Sequence, residues 1–215
     1  MNSDVKAAEQ EELSFEVVPR SMAEPLHEFI EGQHYRRGRA RGRLIACYLR
    51  SSSIAQFASK YNAIDGRVFA GALVLGRGCS YSSPVGRSAL VEANGLNIDL
   101  SELSRGEAVN QLGLTMVNRV AVLPGLQGRG IATGLAYEAR RLAPTLFPAA
   151  KFIEVMTARS VSDAQATTRG EFADCDFFQR AGYAVAPTIS SIQWRQTGNG
   201  FERTGMVYYY ASILR

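Results

Sequence analysis

Sixteen residues, Val117-Asn118-Arg119-Val120-Ala121-Val122-Leu123-Pro124-Gly125-Leu126-Gln127-Gly128-Arg129-Gly130-Ile131-Ala132, hold the pattern in this chain best suited to chemistry. A Val-rich strand ends at a proline, a glycine turn follows, and helical spacing starts at Ile131. Gly128 and Gly130 let main-chain amides approach a ligand closely, and a helix beginning at Ile131 aims the positive end of its dipole at the same point. Such a turn suits an anion, because donors fixed before binding replace water without ordering side chains. A lone Gly-x-Gly is a common turn; the strand, proline and helix around this one give it meaning. A dinucleotide fingerprint does not fit: the first glycine is too far from the strand, and no acidic strand end follows about 20 residues later.

The 24 basic residues outnumber the 20 acidic ones, giving +4 and a pI near 9.1, and only three of the 24 are Lys. Arginine's planar fork suits phosphate, although a GC-rich genome would give the same bias without any function. The run Arg36-Arg37-Gly38-Arg39-Ala40-Arg41-Gly42-Arg43 concentrates charge locally and is either a phosphate-contacting patch or a solvated face. Cys47, Cys79 and Cys175 form no ligand cluster or C-x-x-C pair, so no metal is expected, and a reduced, cytoplasmic setting fits. The longest apolar stretch, Val68 to Gly76, falls short of the roughly 20 residues of a membrane span. Composition is that of a globular chain, at 46% hydrophobic and 20% charged residues. One domain over residues 15–215 is expected, after a flexible acidic tail at 1–14.

The elements that position the loop follow from periodicity. Strands are expected at Phe15–Val18, Leu44–Leu49, Arg67–Leu75, Leu114–Leu123, Phe152–Met156, Tyr183–Val185 and Met206–Tyr210. Ser21-Met22-Ala23-Glu24 reads as a capping box opening a helix with Leu26, Phe29 and Ile30 on one face, and Ser51–Asn62 as a short helix. Ser80 to Gly113 reads as a long surface excursion with a helix near Ser88–Ala93. Ile131, Leu135, Glu138 and Leu142 mark a helix that Pro144 should stop, and Glu171–Ala181 a helix closed by Gly182. Tyr208-Tyr209-Tyr210 is open among a strand face, a pocket wall and a dimer contact.

The order Gln-x-x-Gly-x-Ala after a Val-rich strand and proline resembles the acyl-CoA loop of the GNAT acetyltransferases. Asp176-Phe177-Phe178-Gln179-Arg180-Ala181-Gly182-Tyr183 resembles the late helix of the same family. The resemblance covers roughly residues 115 to 186. It implies an α+β GNAT fold: a central mixed, mostly antiparallel twisted sheet of about six to seven strands, splayed at the acyl-CoA site and flanked by helices. It also implies acetyl-CoA as co-substrate and transfer of its acyl group to an amine. By resemblance, Gln127, Gly128, Arg129, Gly130, Ile131 and Ala132 would meet the pyrophosphate, Val120, Ala121 and Val122 the pantetheine, and Phe178 would also belong to the cofactor site.

The family's late helix often carries a Tyr that protonates the leaving thiolate, whereas this chain has Phe177 and Phe178. That departure turns the resemblance toward GNAT domains fused to ABC-type ATPases and the phage Mom DNA-modification proteins, which share a His-Tyr pair after the first helix, here His34-Tyr35. Asn118-Arg119 stands where those relatives carry a Ser-Arg or similar pair, which makes Arg119 a candidate. His34 could take the amine proton and Tyr35 donate to the thiolate, with Glu154 as a competing base and Asp174 and Asp176 as further acidic candidates. Arg36, Arg37 and Arg39 beside His34 would steer an anionic acceptor, a nucleic acid among them. Small-molecule or protein amines are the alternative acceptors, a homodimer is open, and a non-catalytic CoA- or nucleic-acid-binding module is the competing class.

Overall fold

In the chain segment Arg-Leu-Ile-Ala-Cys-Tyr-Leu-Arg, all six residues between the two arginines are buried, the mark of a strand covered on both faces. This strand, β2 (Arg43–Arg50), pairs antiparallel with β1 (Glu12–Val17) and with the equally apolar β4 (Arg67–Arg77). The computed structural model describes residues 12–33, 40–50, 63–64, 67–78, 84–171, 173–174, 176–197 and 200–213. Within them one nine-stranded sheet runs in the order β1-β2-β4-β5-β6-β9-β7, with β3 (Ala63–Ile64) beside β4 and β8 (Ser191–Thr197) beside β9. The other members are β5 (Leu114–Val122), β6 (Phe152–Ser160), β7 (Ala184–Val185) and β9 (Gly200–Ser212). Of these pairings, only β5 with β6 is parallel. Mixed, mostly antiparallel pairing was expected, and the path holds seven strands with two more at its sides.

Helices cover both faces. On one, α4 (Ile131–Leu146) lays Ile131, Leu135, Ala136, Ala139 and Ala143 on the sheet, joined by α5 (Val161–Thr168) through Ala164 and by α6 (Phe177–Arg180) through Phe178. On the other, α1 (Glu24–Gln33) packs Ile30 over β2 and β4, while α2 (Pro84–Ala93) and α3 (Arg105–Leu112) cover Tyr208 and Tyr210 with Leu90 and Leu112. The three tyrosines are thus a strand face divided by alternation: Tyr209 points into the α4 side, its neighbours to the α2 side.

Several elements differ from the sequence expectation. The 80–113 stretch is not a surface excursion. It contains α2 and α3, the second opened by a full capping box of Ser104 and Glu107 and closed by left-handed Gly113. Pro144 does not stop α4, which continues to Leu146, where Phe147 N–H still reaches Ala143 O at 2.7 Å. The expected 171–181 helix shrinks to α6, because Asp176 caps it late by accepting from the N–H groups of Phe178 and Gln179. Residues 161–168, not assigned from sequence, form α5 instead. Before α1 stands a 3-10 turn over Arg20–Met22 in place of the expected Ser21 capping box. The helix expected at 51–62 lies outside the described residues.

Candidate functional site

The loop after β5 is held by one buried anchor. Pro124–Leu126 forms a 3-10 turn, Leu126 is 1% exposed, and its N–H bonds Leu123 O at 2.8 Å. Gln127, Gly128, Arg129 and Gly130 then stand exposed before Ile131 turns back into the core. Gly128 and Gly130 have φ of +81° and +77°, the left-handed region that costs an L-residue roughly 1–2 kcal/mol. Space is not the constraint, since a Cβ at either would meet nothing within 4 Å. The backbone path itself requires these glycines. Gly130 is the N-cap of α4 and supplies no side-chain cap. The first N–H to find a carbonyl in the helix is that of Gly134, on Gly130 O at 2.9 Å. The N–H groups of Ile131, Ala132 and Thr133 are therefore the orphan donors of the helix start behind the exposed loop, and Thr133 Oγ1 beside them is buried with no partner among the described residues.

Directly before this loop the sheet opens. β5 and β6 pair only over Leu114–Met116 and Phe152–Glu154, although β5 continues to Val122 and β6 to Ser160, the latter held throughout by β9. From Val117 onward β5 has β4 on one side and, among the described residues, no strand on the other. Leu123 donates its N–H to Ala70 O, so alternation along an antiparallel strand turns Ala121 toward β4 as well and gives Val120 and Val122 to the unpaired edge. Two residues' main-chain donors and acceptors thus line a gap that leads to the amides at the start of α4. Asn118 is an extra residue in β5: Val74 faces Arg119 and Leu75 faces Val117, leaving Asn118 without an opposite number. Its Nδ2 donates to Arg41 O at 2.8 Å, an approach so close that a Cβ on Gly76 would collide with both groups.

The remaining expected residues divide. Glu154 is 0% exposed and fully engaged: Arg87 donates from Nε at 3.1 Å and Nη2 at 2.8 Å, and Tyr208 Oη at 2.8 Å. Its carboxylate, read from sequence as a competing base, neutralises a buried guanidinium. Beside it the Tyr208 phenol is pushed well above its ordinary pKa, first by burial and then by the Glu154 charge. Phe178 is 2% exposed and packs against Phe177, Tyr183 and Tyr209, so its ring belongs to the core rather than to the loop mouth. Asp176, expected from sequence as a further acidic candidate, both caps α6 and gathers Tyr209 Oη at 2.7 Å and the Arg159 guanidinium. Burial, more than that carboxylate, raises the Tyr209 phenol. His34, Tyr35, Arg36, Arg37 and Arg39 lie outside the described residues.

No protein-family model matches the chain, and no curated protein does. Solved structures do. Arabidopsis thaliana NAA60 in complex with acetyl-CoA aligns over 93% of this chain and 100% of its own, at 12% identity and a TM-score of 0.50. A Bacillus subtilis acetyltransferase in complex with CoA aligns over 94% and 100%, at 17% identity and 0.44. A Drosophila melanogaster polyamine N-acetyltransferase aligns over 94% and 100%, at 13% and 0.45. The chain has the GNAT acetyltransferase fold. In this GNAT fold the parted strands and the uncapped helix start lie next to one another, both contributed by residues 117–133.

On the GNAT sheet of this chain one further feature stands out. At the end formed by the start of β2, the end of β4 and the middle of β5 lies a cavity of ≈ 540 Å³ lined by Arg20, Arg41, Arg43, Arg77 and Arg119, with Asn118 and Phe147. Two neighbouring cavities share Arg20 and Arg43 with it, one extending to His27 and the other to the Gly113 turn. No Asp or Glu lines any of the three among the described residues. Sequence reading had the arginines of the 36–43 run and Arg119, but missed Arg20 and Arg77. For Arg77 the available signal was a charged residue at the very end of an apolar strand.

Proposed function

We propose that this chain is an N-acyltransferase that takes its acyl group from acetyl-CoA and passes it directly to an amine. One observation carries the reading: the parting of β5 from β6 is followed by the exposed loop 127–130 and by the main-chain donors of a helix start that has no side-chain cap. A diphosphate suits those donors, and Arg129 adds charge to them. An extended chain of amides suits the free edge of Val120 and Val122, which offers a donor and an acceptor on each residue, with Ala121 between them. The lone pair of an uncharged amine adds to the thioester carbonyl carbon, the C–N bond forms, and the C–S bond breaks. A main-chain N–H of the free edge would polarise the carbonyl oxygen as charge collects on it. The amine surrenders one proton to a base, and the departing sulfur of coenzyme A takes one up.

On the sequence resemblance alone, His34 is assigned as that base and Tyr35 as the donor to sulfur, in the manner of the Mom-like branch. A nucleic-acid amine as acceptor is the finer reading, supported by the Arg36–Arg43 run. Calorimetry with CoA and acetyl-CoA tests the donor half. The chain should bind both, and Gly128→Glu/Gly130→Glu should bind neither while keeping its circular dichroism. Acyl transfer that survives in that double variant sinks the loop assignment.

A further inference from the structure

We propose that the arginine-lined cavity at the β2–β4–β5 end holds a phosphate group of the acceptor. Taken as the acceptor's anchor this rests on the acyltransferase reading; taken as an anion site it stands alone. Five other arginines face carboxylates: Arg67 meets Glu16, Arg87 meets Glu154, Arg141 meets Glu138, Arg159 meets Asp176 and Arg169 meets Glu171. The five arginines of the cavity have no carboxylate partner among the described residues, and no acidic side chain lines the space they share. Like charges crowded together without a counter-charge repel one another, and an anion relieves that repulsion.

Burial strengthens the point. Arg119 is only 9% exposed, and its Nη1 is buried with no partner among the described residues; Arg43 Nε is buried in the same condition. A guanidinium taken out of water needs a partner, and an unmet N–H on it is costly. Both donors belong to residues that line the one cavity, so two guanidinium groups at its wall keep an unmet N–H. Guanidinium forks arriving from β2, β4, β5 and the loop before α1 exceed what a single carboxylate can accept, whereas a phosphate presents oxygens in several directions. The cavity's size lies within the range of small-molecule sites, about 300–1,000 Å³. Its position fits an acceptor: Arg119 immediately precedes Val120, the first residue of the free edge in the strand gap.

Phosphate could come from a phosphorylated small molecule or from a nucleic-acid backbone, and titration separates them. In the Gly128→Glu/Gly130→Glu background, which removes the loop's own anion site, the full chain is titrated with inorganic phosphate, a nucleoside 5′-monophosphate and a short single-stranded oligodeoxynucleotide across a salt series. Binding should fall about tenfold or more in Arg43→Gln and in Arg119→Gln, the effect of losing a hydrogen bond to a charged group, and stay unchanged in Arg169→Gln. A mononucleotide that binds as well as the oligonucleotide, with a shallow salt slope, supports a small phosphorylated acceptor. A much tighter oligonucleotide with a steep slope supports a phosphodiester backbone. The exposed Arg41→Gln and Arg77→Gln serve if the buried variants do not fold. CoA binding by the arginine variants on the native loop, measured in parallel, keeps this test separate from that of the donor site. The proposal is overturned if no probe binds, or if binding is indifferent to all four arginines.

Discussion

Replacing Glu154 by Gln should damage the protein's stability and leave its chemistry alone. The substitution preserves shape and an oxygen for Tyr208, but strips the charge that faces the Arg87 guanidinium, whose side chain is 3% exposed and which also ties α2 to α3 through Arg105 O at 3.4 Å. Removing one partner of a buried pair typically costs about 3–5 kcal/mol, because the other charge stays in the interior uncompensated. For a chain of this size each kcal/mol moves the midpoint by roughly 2–4 °C, so Tm should drop by about 6–20 °C in a thermal melt followed by circular dichroism. Activity per folded molecule, assayed by thiol release below the new midpoint, should remain within a factor of about two, whereas loss of a true general base costs about 10²–10⁴-fold. Arg87→Met/Glu154→Leu should recover much of the lost stability, since an apolar pair of similar volume avoids the desolvation altogether. A melt shifted by less than about 2 °C together with a hundredfold fall in turnover would refute this account and return Glu154 to the acid–base chemistry.

Gly130→Ala alone, with open space but φ of +77°, should cost about 1–2 kcal/mol by denaturant titration and weaken CoA binding in calorimetry by displacing the amides. Asp176→Asn should lower stability by more than the roughly 1 kcal/mol of a lost cap, because Tyr209 and Arg159 lose their common acceptor; urea melts of this variant against Ser104→Ala, a cap without such company, measure the difference. Cys47 is buried, and burial pushes its thiol from an ordinary 9.0 up to about 12, so it should resist alkylation in the native state at pH 8. The unfolded chain loses that proton first, so between pH 9 and 12 stability should fall with a slope of up to about 1.4 kcal/mol per unit from this group, a slope that Cys47→Ala removes in paired melts.

What could be read in the sequence was what is local. β5, the glycine turn and α4 lie within 33 consecutive residues, and their signals are a Val-rich run, a proline, two glycines and an apolar repeat at helical spacing. What escaped was set by distant partners. α5 reads Val-Ser-Asp-Ala-Gln-Ala-Thr-Thr, polar and short, and owes its helix to Ser160 accepting from Asp163 N–H and to Ala164 against the core. Glu154 looked like any acid on a strand until Arg87, 67 residues earlier, took its charge. The arginine cavity draws on positions 20, 41, 43, 77 and 119, so no window of sequence contains it. The glycine turn survives translation into three dimensions because its requirement is a backbone angle, whereas the roles of charged residues depend on which element folds against them.

The extra residue at Asn118 connects the two halves of the site. Val117 faces the α4 core, and in a regular strand Arg119, two residues on, would face it too, placing a guanidinium among Leu135, Ala139 and Val117. One unpaired residue reverses the alternation. Val120 and Val122 then take the α4 side with the rest of the apolar cluster, Arg119 falls on the opposite face with Ala121, and Asn118 bridges to Arg41 at the rim of the cavity. The same shift decides which peptide groups meet β4 and which are left on the free edge: opposite β4, alternation turns the peptide groups of Leu123 and Ala121 toward it and those of Val120 and Val122 away. A single insertion in register thereby keeps a charge out of the core, aims it into the arginine cavity, and turns two peptide units toward the gap between the strands. The free strand edge at Val120 and the arginine-lined cavity that Asn118 and Arg119 border thus meet along three consecutive residues because of that insertion.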